Sequence, residues 1–261
     1  MRSADDRHAL LVYHDQDLRW NEVAAFAERG LERGELVTCT AAAGDCTFEE
    51  GLAARGVDVA AATQAGQLRR LSLAELFAHG GMTGYVTDAL QRGYSGVRLC
   101  GNAASSTAHL GRQGMHAAEL EMNHLCESLP VAALCQYDAV AGTADETAEL
   151  VAAHPQLVRS DALLVTRGGA QVRLAGELDL SSAPVLEAAL ERAAADGGGT
   201  RMVVDLAELT FMDLAGHDAL MRGTERVRAD GGALVVRGAA DGVLRLLDAL
   251  GMRGRGDVLF V

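Results

Sequence analysis

Five short apolar runs separated by stretches of helical periodicity constrain this fold more than any other feature of the chain. The runs cover residues 8–14, 36–40, 68–73, 97–101 and 131–137. Between the first two, residues 17–34 place Val23, Phe26, Ala27 and Leu31 on one helical face and close on Gly34. Further helical patterns occupy 47–56, 74–91 and 115–127, and a last one begins near Asp145 and stops before His154-Pro155. Strands that are apolar at nearly every position must be covered on both faces, and helical connections join strands that run parallel. The first half is expected to be a parallel sheet between helices.

Residues 156–170 change the pattern, and the reading sets domains at 1–160 and 161–261. The second half opens with two strand runs, 163–166 and 171–175, joined by Arg167-Gly168-Gly169-Ala170 as a hairpin. Ser182 can cap a helix over 184–195, with Pro184 in the first turn where its missing N–H costs little. Gly197-Gly198-Gly199 ends it. Strand 202–206, helix 216–229, strand 233–237, helix 243–250 and strand 258–261 complete a small α/β unit. The whole chain is thus α/β.

Charge and composition exclude several function classes. A formal net charge of −13 gives no basic footprint for nucleic acid. All 23 basic residues are arginine, so a phosphate-loop lysine, a Schiff-base lysine and a lysine general base are all absent. The arginine and alanine bias fits a GC-rich genome of actinobacterial type. No apolar run approaches the roughly 18 residues of a membrane helix, and the acidic N-terminus lacks a signal peptide's apolar core. Cytoplasmic location and no membrane contact are expected. Cys39, Cys46, Cys100, Cys126 and Cys135 form no C-x-x-C pair, so they are read as free thiols, with Cys39, Cys100 and Cys135 as small buried hydrophobes in strands. His116, Glu119 and Asn123, with His124 and Cys126, share one helix. His116 and Glu119 at i, i+3 could share a metal, but a helix this polar is read as a solvated or sheet-packing face. No metal and no cofactor are expected.

The stretch Thr210-Phe211-Met212-Asp213-Leu214-Ala215-Gly216-His217 follows a strand run and opens a helical pattern. With Arg173-Leu174-Ala175-Gly176-Glu177-Leu178-Asp179 and Val203-Val204-Asp205-Leu206, it resembles the STAS domain of anti-sigma factor antagonists. That resemblance implies a small fold that binds an anti-sigma factor or histidine-kinase-like ATPase, often as a homodimer, and does no chemistry of its own. It also implies a phosphorylated serine or threonine at the helix start, where unpaired N–H groups and the helix dipole favour an anion. Leu214 and Ala215 occupy those positions, and neither can carry a phosphoryl group. Phe211, Met212, Asp213, Leu214, Ala215 and Gly216 are the candidate partner-binding residues, Asp213 also being a natural N-cap. Leu214 is expected to add apolar contact, with Phe211 and Met212 anchoring the loop. His217 is read as an exposed helix histidine.

The first half resembles the MEDS sensory domain. The matches are His8-Ala9-Leu10-Leu11-Val12-Tyr13, Phe26-x-x-x-Gly30-Leu31-x-x-Gly34-Glu35, Gly66-Gln67-Leu68, Gly93-Tyr94-x-Gly96-Val97-Arg98, Glu121-Met122-Asn123, Leu134-Cys135-x-Tyr137-Asp138 and His154-Pro155. The resemblance implies a RecA-like parallel sheet without a P-loop, and a small-molecule sensing role. In open parallel sheets ligands sit beyond the carboxyl ends of the strands. Those ends, with residues 101–106 read as a small polar loop leading into a helix, nominate His14, Asp15, Gly101, Asn102, Ser105, Ser106, Tyr137 and Asp138 as ligand-binding residues. The expected function is a non-catalytic regulator whose sensory half governs partner binding by the STAS half. The alternatives are an adaptor with two protein-binding domains and no ligand, or an enzyme using His14 or Asp138 as base in the crevice.

Overall fold

In the computed structural model, the described residues are 7–40, 47–154, 156–197 and 200–261. Cys46, Pro155, Gly198 and Gly199 lie outside them, as does the side chain of Ser105. The chain divides into two units, Met1–Asp138 and Ala139–Val261.

In the first unit the apolar runs become β1 (His8–Tyr13), β2 (Leu36–Thr40), β3 (Leu68–Leu71), β4 (Val97–Asn102) and β5 (Val131–Asp138). The helices are α1 (Gln16–Glu32), α2 (Thr47–Ala53), α3 (Val59–Gln64), α4 (Leu73–Ala78), α5 (Gly81–Gln91) and α6 (Ala103–Ser128). The strands run in the order β1-β5-β4-β2-β3, every pair parallel. All six positions of β1 and the first four of β2, β4 and β5 are buried, so both faces are covered as expected. One core cluster joins Leu36, Leu99, Val97 and Val131 of the sheet to Tyr85, Val86 and Met122 of the helices. Asp15 caps α1, accepting from the amides of Asp17 and Leu18 at 2.6 and 3.0 Å.

The fold departs from the sequence expectation at one functional point. Residues 101–106 were expected to form a small polar loop. Instead β4 continues through Asn102 and α6 begins at Ala103. The helix is interrupted at Gly111 (φ 69°, ψ 170°), which only a glycine adopts readily. The separate helix α3 was not foreseen; Asp58 caps it through the Ala61 amide at 2.9 Å.

The second unit contains α7 (Ala144–Ala153), β6 (Leu157–Ser160), β7 (Leu163–Gly168), β8 (Gln171–Leu178), α8 (Ala183–Gly197) and β9 (Arg201–Met212). It ends with α9 (Leu214–Gly223), α10 (Glu225–Ala229), β10 (Ala233–Arg237), α11 (Asp241–Ala249), a 3-10 turn at Met252–Gly254 and β11 (Val258–Phe260). Strands β6, β7 and β8 are antiparallel neighbours, and β8, β9, β10 and β11 continue the sheet in parallel. The expected hairpin is present, with Gly168 opposite Gln171 across Gly169-Ala170. Residues 139–160, read from sequence with the first domain, pack with the second unit. Strand β6 pairs with β7, and α7 lies against α8. The buried Arg167 of β7 also donates to the carbonyl of His154 at 2.8 Å, at the end of α7. Ser182 stands just before α8, but its hydroxyl pairs with Asp179 rather than with the α8 amides.

Three carboxylates of this unit are held below their ordinary range by hydrogen bonds and ion pairs. Arg255 and Arg228 both bond Asp257, at 3.0 and 2.9 Å, and hold its carboxyl well below the ordinary range. Arg237, 2.6 Å from Asp205, lowers that group too. Hydrogen bonds from Ser181, then from Ser182, lower Asp179. With folded pKa values below the unfolded value near 3.9, the unfolded chain takes up protons first as pH falls. Their stabilisation is complete above that value and is lost as pH drops through the folded values. The urea midpoint of the second unit should be flat above about pH 5 and fall below about pH 4. Asp257→Asn should remove part of that slope, and a variant curve as steep as wild type would exclude Asp257 as its source.

Candidate functional site

The start of α9 is built from two segments far apart in sequence. Met212, at the end of β9, pairs with Leu178 at the end of β8. The Asp213 amide then donates to the Leu178 carbonyl at 3.1 Å. Asp213 caps the helix, its Oδ1 accepting from the Gly216 amide at 2.8 Å. Its other oxygen accepts from the Leu180 amide at 3.2 Å, which brings the turn after β8 beside the helix start. A side chain on Gly216 would collide with Leu178, its Cβ lying 2.6 Å from Leu178 Cγ. Close packing therefore needs glycine there.

Around this cap the surface is apolar. Leu180 is 75% exposed, Leu214 60% and Phe211 48%. Leu214 thus lies open to solvent at the first position of α9. Met212 is only 6% exposed, so it supports the loop from the core and presents no side chain to a partner. Gly216 is likewise buried. His217, expected to be exposed, is mostly covered and bonds Asp218 at 3.0 Å. The nearby hydroxyls have structural partners: Thr210 donates to the Gly176 carbonyl at 2.9 Å, and Ser181 to Asp179 at 2.7 Å. Leu180 was not singled out from the sequence, because its place beside Asp213 arises only from the pairing of β8 with β9.

The first unit holds a cavity of about 330 Å³ between α6 and one face of β2, β4 and β5. Leu76, Met82, Leu99, Leu110, Met115 and Met122 make most of its wall apolar. Thr40, Asn102, Ser106, Glu119, Glu121 and Cys135 supply polar groups. Of the residues nominated for a ligand, Gly101, Asn102 and Ser106 line it. His14, Asp15, Tyr137 and Asp138 are not among its lining residues. The reason is geometric: Leu99 and Gly101 of β4, like Ala133 and Cys135 of β5, alternate onto the face beneath α6. The space therefore opens on the face of the sheet and not across all the strand ends. Asp15 is instead committed to capping α1, and Tyr13 lies under the Arg19 guanidinium at 5.1 Å.

The cysteines divide into two kinds. Cys39 and Cys100 are buried strand residues, and burial raises the Cys100 thiol to about 12, in keeping with a small hydrophobe. Cys135 differs. Its Sγ lies 3.5 Å from both Glu119 oxygens and 3.4 Å from His8 Nε2. Burial first, then the adjacent Glu119, push its thiol well above the usual range. Glu119 itself is buried, whereas His116 is exposed, so the i, i+3 pair read from the helix does not converge. None of the four described cysteines forms a disulfide, and among the described residues no helix is long and apolar enough to cross a membrane.

Comparison with known proteins agrees with both halves of this description. A family model described as "MEDS: MEthanogen/methylotroph, DcmR Sensory domain" matches residues 7–155. One described as "Mlab, STAS domain" matches residues 162–260. The anti-sigma-B factor antagonist of Bacillus subtilis (strain 168) is 32% identical over 83 residues, which span 32% of this chain and 74% of that protein. The solved anti-sigma factor antagonist SpoIIAA, in its unphosphorylated form, is similar at 18% identity and a TM-score of 0.33, over 38% of this chain and 88% of its own. The MEDS match alone takes in more than half of the residues. The chain therefore belongs to the MEDS family, with a STAS domain following its sensory domain.

Proposed function

We propose that this chain is a non-catalytic regulator of the anti-sigma factor antagonist type, with its functional halves meeting between residues 160 and 161, although residues 139–160 pack with the second unit. Its STAS half binds an anti-sigma factor or histidine-kinase-like ATPase, and its MEDS half governs that binding by taking up a small molecule. The observation that carries this reading is Leu214. A helix start is an anion site, and in a phosphorylatable relative a hydroxyl there would place about −1.5 to −2 charges at the docking surface. Here the same position carries an apolar group exposed to solvent beside Phe211 and Leu180. Such a surface favours constitutive docking, with no phosphate available to repel the partner. Control then falls to the sensory half. Its cavity of about 330 Å³, apolar with a few polar groups, is of the size and lining that small-molecule sites have.

The test is affinity capture on the full chain from host extract, followed by titration of the purified partner. The expected catch is a histidine-kinase-like ATPase. Leu214→Asp should weaken its binding about 10- to 100-fold, the loss of one buried leucine being worth about 1.5–3 kcal/mol. Capture of no such ATPase, or binding unchanged in the variant, would defeat the reading.

A further inference from the structure

Three potential metal ligands converge in the first unit from distant parts of the chain. His8 opens β1, Glu119 lies in α6 and Cys135 in β5. His8 pairs across the sheet with Ala133, two residues before Cys135, so both side chains emerge on the same face. Glu119 descends on them from the helix. His8 Nε2 is 3.0 Å from Glu119 Oε2 and 3.4 Å from Cys135 Sγ, and Cys135 Sγ is 3.5 Å from each Glu119 oxygen. His8 and Glu119 are each 3% exposed.

The orientation of His8 sharpens the case. Its Nδ1 lies 2.8 Å from Asn123 Oδ1. An amide oxygen accepts hydrogen bonds and does not donate them, so Nδ1 carries the proton. Nε2 then faces the Glu119 carboxylate and the Cys135 sulfur. Without a metal, hydrogen bonds join the three, the Cys135 S–H donating to Glu119 at 3.5 Å; with one, all three can turn a lone pair to a single point. A tetrahedral zinc ion, with Zn–N about 2.0–2.1 Å and Zn–S about 2.3 Å, spaces its ligands roughly 3.3–3.6 Å apart. The two separations that involve Cys135, 3.4 and 3.5 Å, fall in that range, and the 3.0 Å between His8 and Glu119 would open by about 0.3 Å. A histidine whose second nitrogen is held by an oxygen is also what metal sites use to fix the tautomer.

We propose that His8 Nε2, a Glu119 oxygen and Cys135 Sγ bind a divalent cation of the zinc class, with Asn123 as the positioning residue behind His8. Imidazole, carboxylate and thiolate together suit zinc or a neighbouring transition metal better than magnesium or calcium. On binding, the Cys135 S–H bond breaks, its proton passes to solvent buffer, and an S–metal bond takes its place. Glu119 and Cys135 also line the cavity, so the ion would sit in its wall. The site is independent of whether that cavity takes a ligand.

The full chain, purified without chelator, should contain stoichiometric zinc by elemental analysis. Cobalt(II) loaded in its place should give a thiolate-to-cobalt charge-transfer band with the intense d–d absorption of a four-coordinate ion. Cys135→Ser should abolish the charge-transfer band, and Cys39→Ala, at a buried thiol outside the trio, should leave it intact. Should Cys135→Ser fail to fold, Asn123→Ala keeps all three ligands and should weaken zinc about 10- to 100-fold in chelator competition. Folded wild-type protein that takes up neither zinc nor cobalt would overturn the proposal, leaving the trio as a metal-free hydrogen-bonded ion pair. So would a charge-transfer band that survives Cys135→Ser.

Discussion

Glu35→Ala should destabilise the first unit by about 3–5 kcal/mol, because it strands a buried arginine. Arg98, the second residue of β4, is 0% exposed, and its Nε donates to Glu35 Oε2 at 2.5 Å. Its guanidinium also lies 4.7 Å from the centre of the Phe26 ring. Helix α1 reaches this depth only because residue 30 is glycine. A Cβ there would fall 2.5 Å from Arg98 Cδ and 2.8 Å from Val37 Cγ2. The motif segments around Gly30, Glu35 and Arg98, read separately from the sequence, are thus parts of one packed arrangement. Removing the carboxylate takes away the charge that pairs with Nε and leaves the desolvation of the buried cation less compensated. Replacing both partners by apolar residues of similar volume removes that penalty, so Glu35→Leu with Arg98→Met should recover most of the loss. The chain's single tryptophan, Trp20, lies in α1, so its fluorescence in a urea titration reports on the first unit. A midpoint for Glu35→Ala within about 1 kcal/mol of wild type would show that the pair does not sustain this core.

Most of the sheet was legible because its strands are apolar on both faces, and such runs announce themselves. β2 and β10 appear at the expected residues. β9 was read as ending at Leu206 but runs to Met212, because beyond Leu206 it carries exposed Ala207, Glu208, Thr210 and Phe211 and no longer looks like a core strand. The start of α6 was hidden by Ser105, Ser106 and Thr107, residues that compete with the helix for their own backbone and so read as a turn. At the STAS site the cap at Asp213 was legible, since a cap is a local device. Leu180 was not, since 33 residues separate it from Asp213. The same limit applies more strongly to His8, Glu119 and Cys135. His8 and Cys135 are 127 residues apart, and only the order of β1 beside β5 brings them together. Local spacing paired Glu119 with His116, on the same helix but facing solvent. Spacing within a helix shows which residues share a turn, not which of them meet the sheet.

Gly176→Ala should cost the second unit about 2–5 kcal/mol and carry the docking surface with it, the sum of a strained backbone and an overpacked contact. Gly176 has φ +95°, which side chains rarely adopt, and a Cβ there would lie 2.0 Å from the Ala162 carbonyl oxygen. That carbonyl cannot move aside freely, because it accepts from the Glu177 amide at 3.0 Å. The Gly176 carbonyl is engaged as well, by the Thr210 hydroxyl. The register of β8 on β9 shifts at this point, and such an irregularity re-aims the rest of the strand. The re-aimed residues include Leu178, whose carbonyl holds the Asp213 amide, and Leu180, whose amide is held by Asp213. A displaced Gly176 therefore moves both segments that frame the start of α9. The matched control is Gly168→Ala in the neighbouring strand, where a Cβ would meet nothing within 4 Å and stability should stay within about 0.5 kcal/mol. Thermal denaturation monitored by far-UV circular dichroism distinguishes the two variants, and partner titration should show weakened binding for Gly176→Ala alone. A Gly176→Ala protein that melts with wild type and binds as tightly would mean that β8 takes a different path into the Leu180 turn, and the link between the bulge and the docking surface would fail.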